Sequence, residues 1–193
     1  MPTLDQSSTP GAANNYFGRS DRFYASQSFT PVVTGLCTKI EIELKAVSSP
    51  TGTITCWIYS DNAGQPSSSL GQMGTMAASS LTGTYAYYAF SNASGPHITA
   101  GTKYHIVVNR SPTDDTNYVH WATDVDNHYS GGNSGYSADG TTWTMESGVD
   151  NNFKQYWDPA ASASPSLSPS ASASASLSPS ASLSPSASLS PSA

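Results

Sequence analysis

Leu36-Cys37-Thr38-Lys39-Ile40-Glu41-Ile42-Glu43-Leu44-Lys45 decides the fold class of this chain. Leu36, Thr38, Ile40, Ile42 and Leu44 fall on one side of an extended chain. Cys37, Lys39, Glu41, Glu43 and Lys45 fall on the other. Period-two alternation of this kind marks a strand with one buried and one wet face. Downstream, Ser49-Pro50-Thr51-Gly52 supplies a turn, and Ile54, Cys56 and Ile58 form the inward face of a returning strand. Asp61-Asn62-Ala63-Gly64-Gln65-Pro66 is a second cluster of turn formers. Further strands are expected at Thr84–Phe90, Lys103–Asn109, Tyr118–Thr123, Thr142–Met145 and Phe153–Trp157. Asp139-Gly140, between Tyr136 and Trp143, signals a two-residue hairpin. No segment has the length and 3.6-residue periodicity of an amphipathic helix. The pattern predicts an all-β antiparallel β-sandwich of jelly-roll type.

Three regions follow. Residues 1–22 read as an extended N-terminal arm, either a lead-in pinned by Tyr16-Phe17 or a strand exchanged with another subunit. Residues 23–158 form the β-sandwich domain, and residues 159–193 form a low-complexity tail. All charged residues lie between Asp5 and Asp158. Beyond Pro159 only Ala, Ser, Pro and Leu occur, with Ser at every even position from Ser162 to Ser192. Such a segment has too little apolar surface to offset the entropy of ordering, and its prolines block helix. It reads as a spacer, as an O-glycosylated rod (candidates Ser168, Ser178, Ser184 and Ser190), or as a strand added to a neighbouring subunit.

Several pieces of the domain share a resemblance. Ala25-Ser26-Gln27-Ser28-Phe29-Thr30, Pro50-Thr51-Gly52-Thr53-Ile54-Thr55 with Ile58-Tyr59-Ser60-Asp61, and Gly64-Gln65-Pro66-Ser67 form its first half. Thr99-Ala100-Gly101-Thr102-Lys103-Tyr104 and Ser137-Ala138-Asp139-Gly140-Thr141-Thr142-Trp143 continue it. Over residues 25–157 the chain resembles the small β-sandwich modules called choice-of-anchor domains. Such modules occur in bacterial surface and phage-associated proteins. The resemblance implies display, adhesion or assembly, with no particular ligand and no catalysis.

Composition narrows function. The 193 residues carry a net charge of −6, and only 10% are charged, against about 25% in an average globular domain. A chain without a basic stripe is not expected to bind nucleic acid, and no apolar run approaches the roughly 20 residues of a membrane span. A surface built from Ser, Thr, Asn, Gly and Tyr points to an extracellular or surface location, on a cell, fibre or virion. Met1-Pro2-Thr3 lacks the basic start and apolar stretch of an export signal.

The candidate sites are few. Cys37 and Cys56 are the only cysteines; an oxidising compartment favours pairing them, but their opposite parity argues for a buried, unpaired Cys56. Asp114, Asp115, Asp124 and Asp126 could supply oxygens to a structural calcium, although Asp is also an ordinary turn residue. No other cofactor is implied. His97, His105, His120 and His128 lack zinc-ligand spacing and are expected to pair with carboxylates or backbone. No nucleophile elbow, phosphate loop or convincing carboxylate pair is present, so no enzyme activity is expected. The chain has 11 tyrosines and 4 tryptophans. Trp121, Tyr129, Tyr136 and Trp143 are the candidates for stacking on sugar rings, or equally for filling the core. Asn92-Ala93-Ser94 is an N-glycosylation acceptor pattern at Asn92. The expected function is that of a non-catalytic structural protein, self-associating into a surface layer, fibre or appendage. A carbohydrate-binding or adhesion module on a linker is the alternative.

Overall fold

The alternating stretch becomes the longest strand of one sheet and the axis on which that sheet is built. The computed structural model describes residues 1–8 and 13–159. Its strands are β1 (Thr3–Ser8), β2 (Ala13–Phe17), β3 (Tyr24–Phe29), β4 (Gly35–Val47), β5 (Thr53–Asn62), β6 (Gln65–Ala77), β7 (Ala86–Ser91) and β8 (His97–Ile98), followed by β9 (Tyr104–Ser111), β10 (Tyr118–Asp124), β11 (Ser134–Ser137), β12 (Thr144–Glu146), β13 (Asp150–Asn151) and β14 (Phe153–Asp158). Among the described residues the single helical element is a 3-10 turn at Ala78–Ser80. All strand pairs are antiparallel. They make an eight-stranded sheet centred on β4 and a six-stranded sheet in the order β12-β11-β3-β9-β5-β6. The chain is an all-β antiparallel sandwich.

On one side β4 pairs with β14 over Leu36–Ile42 and with β10 over Leu44–Val47; on the other it pairs with β7 and β8. Its inward residues Ile40, Ile42 and Leu44 are fully buried in one core with Ile54, Cys56, Ile58, Ile106 and Val108 of the facing sheet. On the outer face, Lys39 pairs with Glu41 at 2.8 Å and lies 3.7 Å over the Tyr156 ring. Lys154 lies 3.9 Å over Tyr87, and Lys45 4.5 Å over Tyr85. The long lysine stems cover apolar ring surface while the ammonium groups stay near water.

The expected parity holds from Lys39 to Lys45 and fails before it. Opposite β14, Tyr156 pairs with Lys39 and Trp157 with Cys37, so Thr38 is an extra residue. This β-bulge inverts the alternation. Cys37 is therefore buried and Leu36 only half-buried, the reverse of the sequence expectation. Nor do β4 and β5 form a hairpin. The turn at residues 48–52 carries the chain into the other sheet, where β5 pairs with β6 and β9. Cys37 and Cys56 thus come from facing sheets, both free and both buried. Burial pushes the Cys37 thiol up to about 12, and it raises Cys56 well above the ordinary thiol range, with Cys37 adding to the shift.

The two-residue hairpin lies between β5 and β6, where Ala63 has φ 53° and Gly64 φ 86°. Both central residues are left-handed, as a type I′ turn requires. The Asp61 carboxylate accepts the Gly64 amide at 3.1 Å. At Asp139-Gly140 the connection is longer than expected. Tyr136 pairs with Thr144, and residues 138–143 form the loop between β11 and β12.

Residues 3–8 and 13–17 add strands to the sheet of their own chain, β1 on β14 and β2 on β10. Phe17 is fully buried. The turn that follows is fastened by Arg110, whose side chain is 0% exposed. Its guanidinium donates to the carbonyls of Thr51 at 2.8 Å, Gly18 at 2.8 Å and Asn117 at 2.7 Å. A Cβ at Gly18 would lie 2.6 Å from Arg110 Nε, and the φ there is +82°, so only glycine suits the position.

Arg110→Met would leave three carbonyls without their donor. The expected loss is about 3 kcal/mol, read as a fall in Tm of roughly 6–12 °C or as the corresponding shift in a urea transition. Ala63→Asn places the preferred residue in the left-handed turn and should raise stability by about 0.5–1 kcal/mol in the same assay.

Candidate functional site

Residues 18–22 gather the chain's three arginines at one place. Gly18 and Arg19 both donate their amides to the Arg22 carbonyl, at 2.9 and 3.3 Å, closing a tight turn. The Asp115 carboxylate accepts the Ser20 amide at 2.8 Å and also its hydroxyl. Held in this way, the turn projects its arginines over aromatic rings. Arg19 lies 5.1 Å from the ring centres of both Tyr16 and Tyr118. Arg22 lies 4.5 Å from that of Tyr16 and 3.5 Å from that of Tyr136. The resulting row of alternating rings and guanidinium groups runs from the eight-stranded sheet to β11 of the other. Asp21 ties it together by accepting the Tyr16 hydroxyl at 3.0 Å and Arg19 Nε at 3.1 Å. Against the upward push of partial burial, these two donors hold the Asp21 carboxyl below the usual carboxylate range.

Beside this row opens a cleft of about 210 Å³ lined by Asp21, Tyr136, Ser137, Asp139, Thr142 and Thr144. Its far wall is the β11–β12 loop, which is built around Asp139. The Asp139 carboxylate accepts the amides of Thr142 at 2.7 Å and Thr141 at 2.8 Å, the Ser137 hydroxyl at 3.0 Å and the Thr142 hydroxyl at 3.2 Å. Those donors, the Thr142 and Thr141 amides foremost, hold its carboxyl far below the usual range. Ala138 lines both this cleft and a wider depression of about 490 Å³ with Ser20, Phe23, Ser111 and Thr113.

Of the four aromatic residues expected at a sugar platform, only Tyr136 lines the cleft. Trp121 is fully buried and donates its indole N–H to the Asn152 carbonyl at 2.7 Å, so it belongs to the core. Trp143 is 6% exposed and sits near Tyr24. Tyr129 stands edge-on to Phe153, and its hydroxyl accepts the Thr30 amide. Trp121 and Trp143 serve packing, which removes them from any exposed stacking surface, and the half-buried Tyr129 packs on Phe153 and does not line the cleft.

The four aspartates considered for calcium do not meet in one site. Asp114 accepts the Thr116 and Asn117 amides and the Asn117 side chain; Asp115 holds Ser20. Asp124, 1% exposed, accepts the amides of Asp126 and His128, and its carboxylate lies 2.6 Å from His128 Nδ1. Ligand atoms of Asp124, Asp126 and His128 lie within 4.8 Å of one another, a group that includes neither Asp114 nor Asp115. His105 pairs with Asp61 at 2.8 Å. The Asn92 side chain is engaged at both ends, donating to the Gln72 carbonyl and accepting the Ser94 amide. Ser168, Ser178, Ser184 and Ser190 lie outside the described residues.

Arg19, Asp21, Arg22 and Asp139 were not singled out as ligand-facing from the sequence. The signal available was Gly18-Arg19-Ser20-Asp21-Arg22, which packs two of the three arginines into five residues directly after Tyr16-Phe17. No helix among the described residues is long and apolar enough to cross a membrane. Neither protein-family models nor curated proteins match this chain.

Asp139 makes a pH-dependent contribution whose sign follows from its bonds. A carboxyl with a lowered folded pKa stabilises the fold above its unfolded pKa, near 3.9, and loses that contribution as pH falls through the folded value. Asp139→Asn should therefore melt below wild type at pH 7. The gap should narrow steadily below about pH 4; a gap independent of pH would show that the charge is not what organises the loop.

Proposed function

We propose that this chain is a non-catalytic structural subunit of an extracellular assembly, joined copy to copy through an open sheet edge. The observation that carries the reading is β6. It is the edge of the six-stranded sheet and runs for 13 residues, Gln65-Pro66-Ser67-Ser68-Ser69-Leu70-Gly71-Gln72-Met73-Gly74-Thr75-Met76-Ala77, without one charge. Most of it is exposed, with Leu70 43% accessible. Natural sheets guard long edges with lysine, inward-pointing charge or very short strands, because an unpaired row of N–H and C=O groups templates another strand. The opposite edge, β12, obeys that rule with three residues. β6 is interrupted by Pro66, by the register shifts against β5, by the Ser60 hydroxyl at the Ser68 amide and carbonyl, and by the Asn92 side chain at the Gln72 carbonyl, which leaves Ser69–Leu70 and Met73–Met76 as its longest uninterrupted stretches.

A low-charge surface favours the same reading. A chain with a net charge of −6 repels its copies, and an uncharged strand is where two copies meet without like charges face to face. The Ser-, Ala-, Pro- and Leu-rich stretch after Pro159 would serve as a spacer or strap between subunits. The surface location and the self-association belong to this proposal together.

Sedimentation and electron microscopy of the full chain at rising concentration test it. Wild type should self-associate, a dimer joined β6 to β6 being the smallest product, and Ser69→Lys with Thr75→Lys should return it to monomers with an unchanged circular dichroism spectrum. Monomeric wild type at high concentration would sink the assembly reading.

A further inference from the structure

The cleft between Asp21 and Asp139 has the character of a small-ligand site, and we propose that it binds one neutral hexose unit of a polysaccharide. Size comes first. At about 210 Å³ it is smaller than the roughly 300–1,000 Å³ of pockets for drug-sized ligands, a volume suited to a single ring. Its lining combines one aromatic wall, Tyr136, with the exposed Thr142 and Thr144 and the carboxylates of Asp21 and Asp139, while the buried Ser137 hydroxyl is spent on the Asp139 loop. Hydroxyls on a sugar ring donate to carboxylates and exchange hydrogen bonds with Thr, while the ring's C–H face packs on an aromatic side chain.

Charge selects within that class. Asp21 is neutralised by Arg19, and Arg22 lies over Tyr136 at 3.5 Å, so the cleft offers a cation no unpaired cluster of carboxylates. Asp139, which has no arginine beside it, nonetheless disfavours uronic and other acidic sugars in a chain of net charge −6. A neutral polyhydroxylated ring is the ligand that meets both conditions.

The walls are fixed before any ligand arrives. Four donors hold Asp139, the Tyr16 hydroxyl and Arg19 hold Asp21, and Arg22 braces Tyr136. Preorganised polar groups lose little conformational freedom on binding, so even a few contacts give measurable affinity. The wider depression that shares Ala138 carries the Ser20, Ser111 and Thr113 hydroxyls and the Phe23 ring, and it can receive the neighbouring unit of a chain.

The test uses the full chain with cellobiose, maltose, mannobiose and N,N′-diacetylchitobiose, followed by amide chemical-shift mapping and calorimetry. The expected result is millimolar binding of at least one neutral disaccharide. Shifts should be confined to residues 19–23, 111–113 and 136–144, and a uronic-acid disaccharide should cause none. Tyr136→Ala should weaken binding by about tenfold or more. Thr144→Val removes only a hydroxyl and should weaken it less, with the urea midpoint retained as evidence of folding. Absence of binding by all four sugars, shifts elsewhere on the surface, or unchanged affinity in folded Tyr136→Ala would each overturn the inference. None of these outcomes bears on assembly through β6, which is read by sedimentation.

Discussion

The eight-stranded sheet depends on one constraint: β4 must hydrogen-bond on both sides along its length while keeping a single apolar face turned inward. Its partners β14 and β10 share one side and β7 and β8 the other, so shifting β4 by one residue would expose Ile40, Ile42 and Leu44 together. The Lys/Glu alternation on the opposite face makes that slip costlier still, since Lys39, Glu41, Glu43 and Lys45 would then enter the core. The bulge at Thr38 sits near the strand's start, ahead of the Ile40–Leu44 row, and it turns Cys37 inward. The facing sheet is registered against the same apolar row through Ile54, Cys56 and Ile58.

The interior is not purely apolar, and its polar part does different work. On β3, Ser26, Gln27 and Ser28 are all buried. Gln27 donates to Asp150 at 2.8 Å and accepts the Asn151 amide at 2.6 Å, while Asn151 donates back to the Ser26 carbonyl. These bonds tie β13 of one sheet to β3 of the other. Burial pushes the Asp150 carboxyl up, Gln27 opposes the shift and the charge on Asp124 adds to it. Arg110 plays the same part at another place, joining residues 18, 51 and 117 through carbonyls instead of a carboxylate. A protein with few charges fastens its loops through buried, geometrically specific hydrogen bonds, each costly to leave unmade.

Strand location was legible wherever alternation was strong and bounded by turn residues, as at Lys39–Lys45, Ile54–Ile58 and Tyr118–Thr123. Three features were not, for physical reasons. The bulge at Thr38 leaves no mark, because threonine suits a regular strand as well as an irregular one. The passage from β4 to β5 uses Ser49-Pro50-Thr51-Gly52, turn chemistry that serves a hairpin within one sheet or a crossing between two. β6 has one β-branched residue, Thr75, and no aromatic one to announce a strand, and it exists because the type I′ turn at Ala63-Gly64 delivers it beside β5. The candidate site was half legible. Tyr136 stood out as an aromatic residue among turn formers, but Trp121 and Trp143 looked equally eligible in sequence, and both are buried in packing, Trp121 on β10 and Trp143 in the β11–β12 loop. Asp21 and Asp139 were hidden among aspartates whose ordinary role is to close turns, and closing turns is also how they are held rigid.

The proposed assembly edge and the cleft lie toward opposite sides of the six-stranded sheet. Tyr136 and Thr144 belong to the β11–β12 hairpin at one edge, and β6 is the other. Only the start of β6 approaches the hairpin loop, where Gln65, Pro66 and Ser67 share a depression with Gly140 and Thr141. Strand pairing along Ser68–Ala77 therefore leaves the Asp21–Asp139 cleft uncovered. This separation gives the weakness of a one-ring site a rationale. A single hexose contact in a shallow cleft gives low affinity, but copies joined as proposed through β6 would present more than one cleft to a polysaccharide that repeats as well. The second and later contacts are then effectively intramolecular, and avidity grows by orders of magnitude without any new interaction. Assembly and weak recognition on one sandwich are in this way complementary demands, the first supplying the strength that the second lacks.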